Sequence, residues 1–129
     1  MQVYYFTRTG RSKQVAEELA ERYETKAQEI ADDVDWQGAM GYLKAGYEAF
    51  RKEARPARYN KPTADEELIL VFPVWAGTFP PAVRSFLERE GRTKVICMPT
   101  SIGSKLKDRD GFVKVIDLVG KTITTPESI

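Results

Sequence analysis

Near its start the chain reads Val3-Tyr-Tyr-Phe-Thr7-Arg8-Thr9-Gly10-Arg11-Ser12-Lys13, an apolar run that ends abruptly at hydroxyl side chains and one glycine. Apolar residues with helical spacing follow it, so this order predicts a strand, a turn and a helix N-terminus. Three hydroxyl side chains, with a glycine that can take a left-handed conformation, can line a concave loop whose N–H groups face an anion. The dipole of the following helix attracts the same anion. We therefore interpret this stretch as a phosphate-binding loop.

The composition of this loop narrows the kind of phosphate compound it can hold. It lacks the Gly-Lys-Ser/Thr of nucleoside triphosphate loops, and its single glycine excludes the Gly-x-Gly-x-x-Gly turn that binds dinucleotides. A ligand with one phosphate monoester fits better. The alternative is an ordinary helix capped by Ser12, which gives no reason for Thr7, Thr9 and Gly10 to cluster as well.

Length and composition indicate one globular domain over residues 1–129. Hydrophobic residues make up 42% and charged residues 30% of the chain, and the longest apolar runs have the length of strands, so we expect no membrane segment. A formal charge of +1 attracts no nucleic acid. The chain has no histidine, which excludes Ser-His-Asp triads and imidazole metal sites. Its one cysteine, Cys97, is expected in the core, and without a signal peptide a cytoplasmic location is expected.

Five strands are predicted. Residues 3–6, 68–72 and 94–98 are apolar at nearly every position, as expected for strands covered by helices on both faces. Residues 25–30 and 121–125 are half-polar, which suits the edges of a sheet.

Helices are predicted between these strands. An amphipathic helix follows the first loop, and residues 36–52, rich in glycine and aromatic side chains, predict a loop and a second helix. Pro80 and Pro81 pre-set the first turn of a helix that ends at Gly91. The spacing of apolar residues over 112–119 predicts a last short helix, with Asp108 and Asp110 at its start.

This alternation predicts a parallel, doubly wound α/β sheet. The strand order 2-1-3-4-5 places the polar strands at the edges and the apolar strands in the middle. It also brings three loops, over residues 7–12, 73–79 and 99–104, together at the carboxyl ends of the strands, where such folds bind ligands.

An aromatic residue lies on the second of these loops. Trp75 comes two residues after the central strand, in Phe72-Pro-Val-Trp-Ala-Gly-Thr-Phe-Pro-Pro, beside the predicted phosphate loop. A Trp on a glycine-containing loop at this rim is best explained as a flat wall for an aromatic ring. One phosphate, a polar spacer and one flat ring system describe flavin mononucleotide (FMN).

In these motifs the chain resembles the flavodoxin family, and most closely its short flavodoxin-like branch. Thr7-x-Thr9-Gly10-x-Ser12 resembles the phosphate signature of the family, Phe72-Pro-Val-Trp75-x-Gly77-Thr78 its ring-binding loop, and Pro99-Thr-Ser-x-Gly103-Ser104 the loop on the other side of the ring. The resemblance extends over essentially the whole chain. It implies a five-stranded flavodoxin-like sheet and a non-covalently bound FMN.

The resemblance also implies which residues hold the cofactor. The hydroxyls of Thr7, Thr9 and Ser12, with nearby amides, would hold the phosphate, and Trp75 would flank the isoalloxazine ring. Backbone groups around Ala76, Gly77, Ser101 and Gly103 would hydrogen-bond its polar edge. The complete expected cofactor site comprises Thr7, Arg8, Thr9, Gly10, Arg11, Ser12, Pro73, Val74, Trp75, Ala76, Gly77, Thr78, Thr100, Ser101, Ile102, Gly103 and Ser104. No catalytic side chain and no metal ligand are expected.

The chain departs from the family in its charge. Electron-carrying flavodoxins are typically acidic, which keeps the reduced anionic flavin unstable, whereas this chain is near neutral. Positive charge at Arg8, Arg11, Lys105, Lys107 and Arg109 could stabilise reduced flavin and raise its potential. The alternative is that these cations are simply a solvated surface.

Three functions remain open at this stage. An FMN-dependent electron carrier would exchange electrons with a partner protein or a small molecule. An NAD(P)H-dependent flavin or quinone reductase would need an open face beside the ring and a dimer to complete the pocket. A flavin-free binding or scaffold protein would keep only the fold, and both monomer and homodimer are compatible with the sequence.

Overall fold

The computed structural model describes residues 1–32 and 57–129. These residues form two helices and six short strands. In chain order the elements are β1 (Gln2–Tyr5), α1 (Arg11–Arg22), β2 (Ala27–Glu29), β3 (Leu68–Pro73), α2 (Pro81–Glu90), β4 (Val95–Ser101), β5 (Lys114–Val115) and β6 (Leu118–Val119). The helix predicted within residues 36–52 lies outside the described residues.

All of these strands belong to one parallel sheet, in the order β2-β1-β3-β4-β5, with β6 also paired to β4. The predicted doubly wound sheet with the order 2-1-3-4-5 is therefore confirmed. In the centre of the sheet Leu68 pairs with Val95 and Pro73 with Thr100. Because the strands are parallel, their carboxyl ends lie at one edge.

The core has two halves, one on each face of the sheet. Leu70 and Phe72 of β3 pack with the apolar stripe of α2, whereas Ile69 and Val71 pack with that of α1. Successive residues of a strand point to opposite faces of the sheet, so a strand that is apolar at every position contributes side chains to both halves of the core. Cys97 lies in the core, as predicted, on the α2 side of the sheet, and burial raises the pKa of its thiol to about 12.

The boundaries of α2 follow from backbone chemistry. Pro81 occupies the first helical position, where the missing N–H costs no hydrogen bond. Gly91 ends the helix at φ +83°, and its N–H donates to the Leu87 carbonyl. Both predicted ends of this helix are confirmed.

The prediction for the end of the chain is wrong. Residues 112–119 contain no helix; instead they run beside β4 as β5 and β6, and residues 121–125 form no strand. The reason is that the carbonyl groups along the edge of β4 need hydrogen-bond donors. The N–H groups of Val113, Ile116 and Gly120 donate to carbonyls along β4, and this pairing outweighs the helical spacing of the apolar residues.

The same correction applies to the two aspartates before this segment. Asp108 and Asp110 do not start a helix, because both belong to an irregular loop. Asp108 instead receives a two-pronged hydrogen bond from Arg92. No helix within residues 1–32 and 57–129 is long and apolar enough to cross a membrane.

Candidate functional site

The first loop joins β1 to α1 through a left-handed turn. Gly10 takes φ +95° at the residue before the helix, and its N–H donates to Thr7 Oγ1 over 2.9 Å. A Cβ at this glycine would meet no atom within 4 Å. The glycine is therefore required by the backbone conformation and not by lack of space.

The start of α1 has no side-chain cap. Gln14 is the first residue whose N–H reaches a helical acceptor, the Gly10 carbonyl, so the N–H groups of residues 11–13 precede the helical ladder. Thr9 and Gly10 are exposed beside them. The alternative interpretation of this stretch, a helix capped by Ser12, is wrong because Ser12 lies inside the helix.

The Ser12 hydroxyl connects the first loop to the third. It lies 3.0 Å from Thr100 Oγ1, and the Thr100 hydroxyl donates to the Phe72 carbonyl over 3.3 Å. Since Thr100 has only one hydroxyl proton, Ser12 supplies the proton of the bond between the two side chains. The buried Ser12 hydroxyl is thus engaged within the protein.

The second loop contains a two-residue hairpin turn. Trp75 and Thr78 exchange both backbone hydrogen bonds, each over 3.0 Å. The two residues between them have positive φ, +52° at Ala76 and +77° at Gly77, which defines a type I′ turn. An alanine in the left-handed region costs about 1–2 kcal/mol, and such strain is concentrated at functional loops.

The Trp75 side chain is more deeply buried than a ring that stacks on a ligand needs to be. Only 7% of it is exposed, and its ring meets Phe6 edge-on, with centroids 5.5 Å apart. Phe6 comes directly before the first loop, so the contact joins the first two loops. Stacking of Trp75 on a flavin stays a prediction.

The third loop leaves β4 at Thr100 and Ser101, which are both buried. The next three residues, Ile102, Gly103 and Ser104, are exposed. Two backbone bonds hold this loop against the second: Val74 N–H donates to the Thr100 carbonyl, and Lys107 N–H to the Gly77 carbonyl, each over 2.9 Å. The second and third loops therefore form one continuous rim.

The aliphatic part of Lys107 lies across Gly77. A Cβ added at Gly77 would come within 3.1 Å of Lys107 Cε. Because the ammonium group is bonded to Cε, this contact places a positive charge near the second loop.

Two arginines that the sequence did not single out support this rim from α2 and the residues after it. Arg84 Nη2 donates to Thr78 Oγ1 over 2.7 Å. The Arg92 guanidinium donates to both carboxylate oxygens of Asp108, over 2.7 and 2.8 Å. Both guanidinium groups lie over the Phe79 ring, 5.5 and 5.0 Å from its centroid. No motif marks these contacts, since they depend on which side chains meet in three dimensions.

Ion pairing also decides which cations remain available near the site. Arg109 donates to both carboxylate oxygens of Asp117, over 3.0 and 2.8 Å, and these hydrogen bonds lower the pKa of Asp117. Hydrogen bonds from Arg92 likewise lower the pKa of Asp108. Arg109 is therefore largely neutralised and contributes little to the positive charge predicted at the ring.

The three loops meet at the carboxyl edge of β1, β3 and β4, as the strand order requires. Pro73 and Val74 lie beside Thr100, and Arg8 is half-buried in the first loop. Arg11, which begins α1, turns its side chain toward the end of β6 and donates to the Gly120 carbonyl. Among residues 1–32 and 57–129 no cluster of acidic or sulfur side chains could hold a metal ion.

Comparisons with known proteins support the architecture. No protein-family model matches the chain, and no curated protein sequence matches it significantly. Among solved structures, a flavoprotein in complex with FMN from Lactobacillus acidophilus NCFM superposes with a TM-score of 0.70 at 17% identity, covering 92% of this chain and 91% of its own.

Two further structures, described as candidate flavoproteins, come from Bacteroides species. The protein from Bacteroides uniformis ATCC 8492 has a TM-score of 0.67 at 20% identity and covers 94% of this chain and 90% of its own. That from Bacteroides eggerthii DSM 20697 has a TM-score of 0.63 at 19% identity and covers 81% and 71%. These likenesses show that the chain has a flavodoxin-like fold.

Proposed function

We propose that this protein binds FMN non-covalently and carries electrons through it. The observation that carries the proposal is the start of α1, where a left-handed glycine and uncapped N–H groups face the edge of the sheet at which the three loops meet. Such a helix N-terminus is an anion-binding arrangement. The structural neighbour with FMN has this fold over nearly its whole length.

The residues at this edge suit a phosphate at one end and a ring at the other. The amides of residues 11–13 with the Thr9 hydroxyl would bind the phosphate, and the Thr7 side chain would hold the turn in shape through Gly10. The ring would lie between the second and third loops, next to the turn at Ala76 and Gly77. The bound flavin would supply the redox chemistry, and the chain would supply position, exclusion of water and charge.

The side chains of the three loops offer no acid–base chemistry of their own. Among residues 7–12, 73–79 and 99–104 they are hydroxyl, apolar or cationic, and none is a carboxylate, thiol or imidazole that could act as a general acid or base. Any redox chemistry at this edge would therefore belong to the bound flavin. We propose that the protein acts in the cytoplasm, since a buried free cysteine is compatible with a reducing compartment.

Titration of flavin-free protein with FMN and with riboflavin tests the proposal, because only FMN carries the phosphate. FMN should bind at least tenfold more tightly, and Thr9→Ala should reduce the affinity for FMN more than that for riboflavin. Thr93→Ala is the matched control, since Thr93 is exposed at the opposite end of the sheet. Equal affinity for both flavins would show that the first loop does not bind the phosphate. Binding of neither flavin would favour a flavin-free scaffold.

Steady-state oxidation of NADPH or NADH by the FMN-loaded protein, with quinone as acceptor, separates a carrier from a reductase. A carrier should not exceed the rate of free FMN at the same concentration. Turnover well above that rate would show a reductase.

A further inference from the structure

The backbone of Lys107 is fixed beside the second loop. Its N–H donates to the Gly77 carbonyl over 2.9 Å. The residue before it, Leu106, is 1% exposed and packs in the α2 half of the core. The fold itself therefore holds Lys107 next to the turn at Ala76 and Gly77.

The side chain of Lys107 lies along the same turn. Its Cγ, Cδ and Cε atoms are 3.6, 3.3 and 3.1 Å from the position that a Cβ at Gly77 would occupy. Three consecutive methylene groups thus cover the glycine, and a side chain at residue 77 would push them away. Lysine often packs its aliphatic part on the protein while its ammonium group stays in water, and Lys107 is exposed accordingly.

Two carboxylates near this segment are held by arginines. Asp108 is bound by Arg92 and Asp117 by Arg109, each through two hydrogen bonds. Among residues 1–32 and 57–129, no carboxylate lies within 4 Å of the Lys107 ammonium group. The positive charge of Lys107 is therefore not part of an ion pair with a described residue.

Two further carboxylates lie near the same arginines. Glu88 lines one groove with Arg84 and Arg92, and Asp110 accepts a hydrogen bond from Arg92 at its backbone carbonyl. These groups form a background of charges of both signs. Exchanging Lys107 for a neutral residue removes one positive charge from the second loop and leaves that background in place.

The structure separates Lys107 from three other cations expected near the ring. Arg11 turns its side chain toward the end of β6, and Arg109 is engaged in an ion pair. Arg8 belongs to the first loop, which is the loop proposed to hold the phosphate. Lys107, in contrast, contacts the turn next to which the ring would lie.

We propose that Lys107 stabilises the anionic reduced form of the bound flavin over its oxidised form. This inference rests on the proposed function, which places the ring next to the turn at Ala76 and Gly77. Two electrons and one proton convert the neutral oxidised ring into a reduced ring with one negative charge. A cation beside the ring interacts more favourably with the reduced form and so raises the potential of the couple.

The potential of bound FMN measures this preference. Its difference from the potential of free FMN gives the ratio of the affinities for reduced and oxidised flavin. At low ionic strength, a unit charge about 10 Å from the ring changes this ratio roughly tenfold if the effective dielectric constant is about 20. Lys107→Met keeps a side chain of similar length without the charge, so it should lower the ratio by about tenfold, or about 30 mV for a two-electron couple.

Anaerobic reduction of the FMN-loaded protein by dithionite, with a reference dye, gives these potentials. Dithionite supplies the electrons and is oxidised to sulfite. Lys107→Arg keeps the charge and should change the ratio less than about threefold. Lys26→Met is the matched control, because it removes the same charge at the amino end of β2, and it should change the ratio less than about twofold.

Two dependences distinguish an effect of charge from an effect of packing. The difference between the parent and Lys107→Met should shrink from about tenfold toward about threefold between about 20 mM and about 300 mM salt, because salt screens the charge. It should also vanish at a pH low enough to protonate the reduced ring, since the neutral ring has no charge for Lys107 to stabilise. A purely structural role would follow neither dependence.

Several results would overturn the proposal. These are an unchanged ratio in Lys107→Met, an equal change in Lys107→Arg, or equal weakening of the binding of oxidised and reduced FMN. Weaker binding of FMN without weaker binding of riboflavin would place Lys107 at the phosphate and would overturn it as well.

Failure of the proposed function is visible separately. Missing flavin absorbance after loading would refute the proposed function and this inference with it. Normal absorbance with an unchanged ratio in Lys107→Met would refute the role of Lys107 alone.

Discussion

Replacing Gly77 by alanine tests the turn on which the second loop is built. At φ +77° an alanine is about 1–2 kcal/mol less favourable than in the right-handed region, but it also stiffens the unfolded chain, which returns about 0.4–1 kcal/mol. The new Cβ would approach Lys107 Cε to 3.1 Å, and this exposed, flexible side chain can move away. We therefore expect a loss of about 1 kcal/mol in the free energy of unfolding.

Two further variants test whether this loss of stability comes from the backbone conformation of the turn. Gly91 has φ +83° and ψ 179°, a conformation that essentially only glycine adopts, and a Cβ there would meet nothing within 4 Å, so Gly91→Ala isolates a backbone cost and should lose about 1–3 kcal/mol. Ala76→Gly relieves strain in the same turn and should raise stability by up to about 1 kcal/mol after the entropic cost of glycine.

Urea unfolding of the flavin-free protein measures all three changes. A loss of 1 kcal/mol in a domain of this size lowers the melting temperature by roughly 3–5 °C, which thermal unfolding resolves. If Gly77→Ala were as stable as the parent while Gly91→Ala lost stability, Gly77 would not occupy a left-handed position. If Ala76→Gly were destabilising, the two residues would not form a type I′ turn.

Three other predictions concern single side chains. Ser12→Ala removes the hydroxyl that bonds Thr100 and should cost about 1 kcal/mol of stability in urea unfolding, but should weaken FMN binding less than Thr9→Ala does; a larger effect on FMN would show that the Ser12 hydroxyl contacts the phosphate. Because hydrogen bonds from Arg92 lower the pKa of Asp108, its carboxylate stabilises the folded state above the unfolded pKa of about 3.9, and this contribution is lost as pH falls through the lower folded pKa. Asp108 is partly exposed, so Asp108→Asn should cost less than about 1 kcal/mol at pH 7, and this cost should shrink as pH falls through the folded pKa; a cost that does not change with pH would contradict the ion pair. The Cys97 thiol, buried and with its pKa raised to about 12, should resist a disulfide reagent such as DTNB at pH 8 until urea unfolds the protein, and rapid labelling of the native protein would refute its burial.

Much of the architecture was predictable because it depends on local composition. The unbroken apolar run of β3 demands cover on both faces of the sheet, and the half-polar residues 25–30 can only lie at an edge. Pro81 and Gly91 determine the ends of α2 through backbone constraints that act within one or two residues. The turn at Gly10 is of the same kind, since a single residue supplies the left-handed conformation.

The wrong prediction near the C-terminus has the opposite origin. Residues 112–119 have the apolar spacing of a helix, yet β4 needs partners for its carbonyls along an open edge, and the chain supplies them as β5 and β6. The helix propensity of a segment is only a weak guide to its structure. It is overridden where another strand needs hydrogen-bond partners that the segment can supply.

By itself, the sequence determined the parallel α/β sheet, the order of its first four strands and the three loops that meet at its carboxyl edge, because apolar runs and glycine or proline positions are local features. Only the tertiary structure decided how individual polar side chains are used: Ser12 bonds to Thr100, Arg84 holds Thr78, and Arg109 is neutralised by Asp117. These pairs join residues from different elements, and a hydrogen bond or ion pair forms only where folding brings a donor within about 3 Å of its acceptor.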